Sequence, residues 1–179
     1  MAEQQPVKPF SYLALFLALA FVSLFIRLLP LGERGWLFPA PDVVLCLALA
    51  WVVRRPDYLP ALAIAAVFFL EDLLLMRPPG LWAMLVLLGS EFLRRRAATL
   101  RGLNFWFEYL LVAGVLLTMF LANRLILAIV MIPQPSFGLS FAQFLATVFA
   151  YPAVVALSHF VFKVRKPATG EVDALGQKL

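Results

Sequence analysis

The chain is poor in the residues that carry chemistry. It has one histidine and one cysteine among 179 residues, and only 14% are Asp, Glu, Lys or Arg. A lone cysteine, Cys46, excludes an intramolecular disulfide, a thiolate metal site and a Cys-x-x-Cys redox pair, and it reads as buried filler. A lone histidine, His159, leaves no second imidazole for a zinc site or a histidine-dependent membrane protease. It reads instead as an interfacial residue near Lys163. The run Glu71-Asp72-Leu73-Leu74-Leu75-Met76-Arg77 has a superficial look of the Glu-Glu-x-x-x-Arg motif of CAAX-type proteases, but the arginine spacing differs and the required histidines are missing. No Ser-His-Asp set, nucleotide-binding glycine loop or zinc motif is present. These shortages point away from an enzyme, and neither a cofactor nor a nucleic-acid partner is expected.

What the chain has instead is hydrocarbon. Some 64% of its residues are hydrophobic and its mean hydropathy is +0.94, whereas a soluble domain carries about 25% charged residues. Such a chain needs a bilayer as solvent. The organisation expected is a short cytoplasmic tail over 1–9, one transmembrane domain over 10–162, and a basic, disordered cytoplasmic tail over 163–179. Neither tail could hold a core of its own. The stretch Phe10 to Leu29 is longer than a secretory h-region and no small-x-small site follows it, so it is expected to remain as a first helix.

A membrane-spanning helix needs about 20 mainly apolar residues, fewer where flanking side chains snorkel or the bilayer thins. Six segments meet that measure: Phe10 to Leu29, Pro41 to Val53, Leu59 to Met76, Leu81 to Leu93, Phe105 to Ile132 and Leu139 to Phe162. Proline, glycine or an arginine cluster punctuates every break, and Pro152 is expected to kink the last helix. The second and fourth segments are short enough to be re-entrant or interfacial instead.

Charge argues for all six. With six spans, eleven of the fifteen Lys and Arg residues fall on one side, and four (Arg27, Arg34, Arg77 and Arg124) on the other. Positive charge gathers in short cytoplasmic loops, so both ends are expected inside. The clusters Arg54 and Arg55, Arg94 to Arg96 with Arg101, and Lys163 with Arg165 and Lys166 then face a leaflet of anionic lipid, where each charge is worth about 1 kcal/mol. They read first as topology determinants and second as a dock for a cytoplasmic partner. No GxxxG pair is present, although Ala142, Ala146 and Ala150 form a small-residue face on the sixth helix.

Charges inside a bilayer are costly and therefore informative. Glu71 and Asp72 lie about 8 Å, and Arg124 about 13 Å, from the outer ends of their helices at 1.5 Å per residue. An ion network is expected in which Arg124 pairs with Glu71 or Asp72, joined by Arg27 and Asp42. Snorkelling of these side chains to the interface is the plainer alternative.

The middle of the chain is distinctive. Arg54-Arg55-Pro56-Asp57-Tyr58-Leu59-Pro60 leads through an apolar run to Glu71-Asp72, then Arg77-Pro78-Pro79-Gly80-Leu81-Trp82-Ala83 and a helix ending Glu91-Phe92-Leu93-Arg94-Arg95-Arg96. Residues 39–101 closely resemble the MreD family of rod shape-determining proteins, alphaproteobacterial forms above all. One departure is that Phe68 and Phe69 stand where many members carry a glycine. The resemblance implies a non-catalytic scaffold of the bacterial elongation machinery in the inner membrane, associated with MreC and through it with MreB, RodA and a class B penicillin-binding transpeptidase. It also implies a six-helix bundle similar to the S components of energy-coupling-factor vitamin transporters. The rival reading, a small-molecule binding subunit of such a transporter, would need a polar pocket at the outer face. The chain offers Trp36, Trp82, Gln134 and the Glu71, Asp72 and Arg124 set for one.

Overall fold

A computed structural model describes residues 9–29 and 40–161. Arg34, Trp36, Lys163, Arg165 and Lys166, with the tails 1–8 and 162–179, lie outside them. Among the described residues there are six α-helices, one 3-10 turn and no strand: α1 (Pro9–Leu28), α2 (Val43–Arg54), the turn Pro56–Tyr58, α3 (Ala61–Leu74), α4 (Leu81–Arg101), α5 (Phe105–Ile129) and α6 (Phe137–Phe160). Three of them, α1 from Phe10, α5 and α6, are long and apolar enough to cross a membrane.

The helix at the centre is the shortest of the six. From Val43 to Val53 α2 has no polar face, and a helix that is apolar all round is stable only when surrounded. Eleven of its twelve residues are buried. It packs mainly against α4 and α6, while α1 lies along it and along the 3-10 turn. Cys46 sits in this core and donates to the Thr147 carbonyl at 3.3 Å. The side of α6 that meets α2 carries Thr147, Tyr151, Val154, Val155 and Ser158; the alanine face predicted for close contact is only half-buried.

Helix ends mostly fall within two residues of those expected, the usual uncertainty of fraying termini. The exceptions are α5, which ends at Ile129, three residues short of Ile132, and α4, which continues through Arg94, Arg95 and Arg96 to Arg101 rather than stopping at Leu93. Arginine is a good helix former; a run of charge limits an apolar span without ending a helix, and the first breaker after Arg96 is Gly102. α6 likewise runs on through Pro152.

Ion pairs and hydrogen bonds show how the helices alternate. Arg27, Asp42, Asp72, Gly80, Arg124 and Ser140 gather at one end of the bundle. Trp51, Arg54, Arg94, Glu108 and Ser158 gather at the other. The two are called here the Asp42 end and the Arg54 end. Outward faces are greasy: Phe21, Trp106, Leu110 and Phe149 are each about two-thirds or more exposed, an apolar surface beyond what a soluble monomer displays.

Candidate functional site

α2 is anchored by charge at both ends. At its start, Asp42 is the N-cap and accepts from Leu45 N at 3.0 Å, satisfying one of the donors a helix start leaves open. Its backbone N–H donates to Thr147 Oγ1 at 3.1 Å, tying α2 to α6. Arg27, in the last turn of α1, then joins three helices. Its Nη2 lies 3.2 Å from Asp42 Oδ1, and its Nη1 binds Glu71 Oε1 on α3. Both carboxylates are buried, and the guanidinium is the most exposed of the three groups.

Asp72, one residue on, has another role. Its Oδ2 accepts from the backbone N–H of Gly80 and of Ala83, both at 3.1 Å, so a carboxylate on α3 caps the start of α4. The negative charge there also suits the positive end of the helix dipole. The turn between these helices needs the left-handed conformation twice, at Met76 (φ 55°) and at Gly80 (φ 86°).

The predicted pairing of Arg124 with Glu71 or Asp72 is not what the fold contains. Arg124 Nη1 donates to Ser140 Oγ at 3.0 Å and to the Pro135 carbonyl at 3.4 Å, and the guanidinium lies over the Phe137 ring. Equal depth was a sound inference from helix rise, but depth does not fix which helices are neighbours. α3 packs on α4 and α1, whereas α5 packs on α4 and α6, so Arg124 reaches α6. Arg27, expected as an auxiliary member, is the hub.

At the Arg54 end the structure builds a network absent from the sequence reading. Arg54 Nη2 lies 3.2 Å from Glu108 Oε1, and the same oxygen accepts from Tyr151 Oη at 3.1 Å. Glu108 is 0% exposed and Arg54 8%. Beside them Trp51 Nε1 donates to Ser158 Oγ at 3.2 Å, and Tyr12 of α1 stacks on Tyr58 with 4.2 Å between ring centroids. The signal was available: Glu108 is the only acid in α5, one turn inside a 25-residue apolar helix.

The basic clusters divide in the same way. Arg54 is buried, and Arg94 clasps the 3-10 turn, donating to the carbonyls of Pro56 and Leu59 at 2.7 Å each while Nε meets Glu91 at 2.8 Å. Arg55 lies over the Tyr58 ring and Arg96 over Phe92. Arg95 and Arg96 are exposed, and Arg101 lies in the last turn of α4.

Between α2, α4, α5 and α6 at the Asp42 end lies a cavity of about 310 Å³. Trp82, Gln134 and Arg124 line it, as the pocket reading expected; Glu71 and Asp72 do not, because they are turned to Arg27 and to the start of α4. Arg77, Asn123 and Gln143 add polar groups to the lining that the sequence did not disclose, and Leu116, Phe120 and Phe144 add apolar ones from α5 and α6. Among the described residues no cluster of three His, Cys, Asp or Glu is arranged to hold a metal ion. Comparison with family models, with curated proteins and with solved structures finds no match to this chain.

Proposed function

We propose that this chain is a non-catalytic scaffold of the bacterial inner membrane, of the MreD kind, crossing the bilayer six times with both ends in the cytoplasm. In this reading it organises sidewall peptidoglycan synthesis in rod-shaped cells together with MreC, and through it with MreB, RodA and a class B penicillin-binding transpeptidase. One observation carries it. The residues on which the MreD resemblance rests are engaged in holding α2, α3 and α4 to one another and to α5: Arg54 with Glu108 of α5, Arg94 with Pro56 and Leu59, Asp72 with Gly80 and Ala83. A motif whose polar groups are occupied in building a rigid unit suits a structural role better than a chemical one.

The Asp42 end would face outward, because the exposed arginines Arg95 and Arg96 lie toward the opposite end. The apolar exteriors of α1, α5 and α6 would meet lipid and partner helices, and the fold would be of the S-component type. Co-purification from a rod-shaped host with an MreC-like single-span protein tests the reading, together with the shape of depleted cells. Round cells and a recovered partner are expected. Rods of normal shape in depleted cells would refute it.

The cavity at the Asp42 end favours a second reading, a vitamin-type binding subunit of an energy-coupling-factor-like transporter. Its volume of about 310 Å³ sits at the lower bound of small-molecule sites, about 300 to 1,000 Å³. Depletion would then produce a vitamin auxotrophy with unchanged cell shape.

A further inference from the structure

From its lining we infer that the cavity at the Asp42 end is an anion site, one that takes a phosphate or carboxylate head carried on an apolar body. The inference holds under either reading above, since it concerns what the lining attracts and not what the bound molecule is for.

Charge is the first argument. Two guanidiniums line the cavity, Arg77 from the α3–α4 turn and Arg124 from α5. Among the described residues neither has a carboxylate within ion-pair distance. Arg77 is within electrostatic range of Glu71 and Asp72 without touching them. Asp42 is the one carboxylate in the lining, and it shares Arg27 with Glu71. The lining itself therefore holds two guanidiniums against one carboxylate, in a partly buried setting where charge is screened less than at an open surface.

Hydrogen-bonding capacity is the second. Trp82 Nε1 is buried and has no acceptor among the described residues, and an indole N–H can only donate. Most of the Arg124 donor fork is also uncommitted, since a single nitrogen, Nη1, makes both of its hydrogen bonds. A lining rich in free donors calls for a ligand rich in acceptors.

Shape is the third. Phe120 and Leu116, one and two turns before Arg124 on α5, and Phe144, one turn past Ser140 on α6, give the cavity an apolar stretch beside the arginine. Inorganic phosphate would leave that stretch uncovered, whereas an aromatic or aliphatic body would cover it. An anionic lipid of the outer leaflet and a free amphiphilic anion offer the same chemistry.

The test uses the full chain in a neutral maltoside detergent, titrated with 2-naphthyl phosphate, with 1-naphthylmethylammonium as the cation of similar body and with inorganic phosphate alone. Thermal stabilisation and Trp fluorescence report binding. Saturable binding of naphthyl phosphate is expected, with neither of the other two matching it. Arg124→Gln should weaken it about tenfold or more, the loss of one charged hydrogen bond, and Trp82→Phe should abolish the fluorescence change. Arg95→Gln, on the exposed face near the other end, should leave binding intact. If Arg124→Gln does not fold, Arg77→Gln gives the same decision. A parallel arm in nanodiscs compares retention of phosphatidylglycerol with that of phosphatidylcholine by native mass spectrometry. Retention of phosphatidylglycerol that is lost in Arg124→Gln would support the site and identify a lipid source; binding of naphthyl phosphate alone would support it and identify a soluble one. Absence of both, equal binding of the cation, or binding indifferent to the arginine variants would overturn the inference.

Discussion

Arg54 and Glu108, 54 residues apart, meet at 3.2 Å with the carboxylate fully buried, and Tyr151 shares the same oxygen. Removing one member of such a pair leaves an uncompensated buried charge, which costs about 3 to 5 kcal/mol, whereas replacing both by apolar groups is often neutral. Glu108→Leu and Arg54→Met should each destabilise the chain by that amount. The double variant should recover most of the loss. Chaotrope unfolding in detergent, followed by Trp fluorescence, measures all three. Single variants within 1 kcal/mol of the parent would show that the pair is not closed off from water as the burial implies.

At the other end of α2 the hub is Arg27, which two carboxylates share. Arg27→Gln should leave Asp42 and Glu71 with no cation in contact and destabilise by about 3 kcal/mol or more. Glu71→Gln added to it should restore part of that. Arg124 belongs elsewhere, so Arg124→Glu combined with Asp72→Arg should give no rescue over either single change. A clear rescue in a thermal-unfolding double-mutant cycle would mean that α5 and α3 meet after all.

Periodicity, punctuation and charge located six helices and, at the Asp42 end, three of the residues that join there. The sequence could not say which helices touch. Arg124 and Glu71 match in depth because helix rise is constant, yet lateral neighbours depend on side-chain fit across the whole bundle, and Leu, Phe and Val look alike whether they meet protein or lipid. Glu108 stands out as the only acid in α5, but its pairing with Arg54 does not, because each lies near a helix end, where charge is ordinarily solvated. α4 extends past Leu93 because hydropathy marks only the apolar length of a helix, and the charged turns that follow continue it to Arg101. Cavities form where surfaces fail to meet, so the polar lining at Arg77 and Gln143 has no local pattern to reveal it.

Gly89 supplies the close helix contact that the missing GxxxG pair had left unassigned. A Cβ at this position would lie 2.9 Å from Met119 Sδ and 3.0 Å from Val115 Cγ1, where α4 crosses α5. Met119 can swing aside, whereas the branched Val115 is held to few rotamers. Gly89→Leu should therefore destabilise by about 1 to 3 kcal/mol, the usual effect of overpacking. Gly114 is the internal control, with nothing within 4 Å of its added Cβ. Gly114→Ala should stabilise α5 by up to about 1 kcal/mol through helix propensity alone. Thermal unfolding of the two variants side by side gives the comparison, and a Gly89→Leu protein as stable as the parent would mean that α4 and α5 are further apart than the contact requires.

The proposed threading can be read with single cysteines in living cells. α2 has twelve residues, about 18 Å of helix, well short of the roughly 30 Å hydrocarbon core. It need not match that thickness, because protein surrounds it and its charged ends are satisfied by Arg27 at one and Glu108 at the other. Backbone and charge at membrane depth are tolerated where protein buries them. Met76 and Met131, 94% and 90% exposed at the Asp42 end, should therefore lie outside, and Asp57 and Arg96, both exposed toward the other end, inside. An impermeant maleimide applied to intact cells should label Met76→Cys and Met131→Cys at once, and Asp57→Cys and Arg96→Cys only after permeabilisation. Cys46, buried in the core, can stay in place as a silent background. Labelling of Asp57→Cys in intact cells would put the Arg54 turn outside, and α2 would then be a re-entrant segment instead of a span.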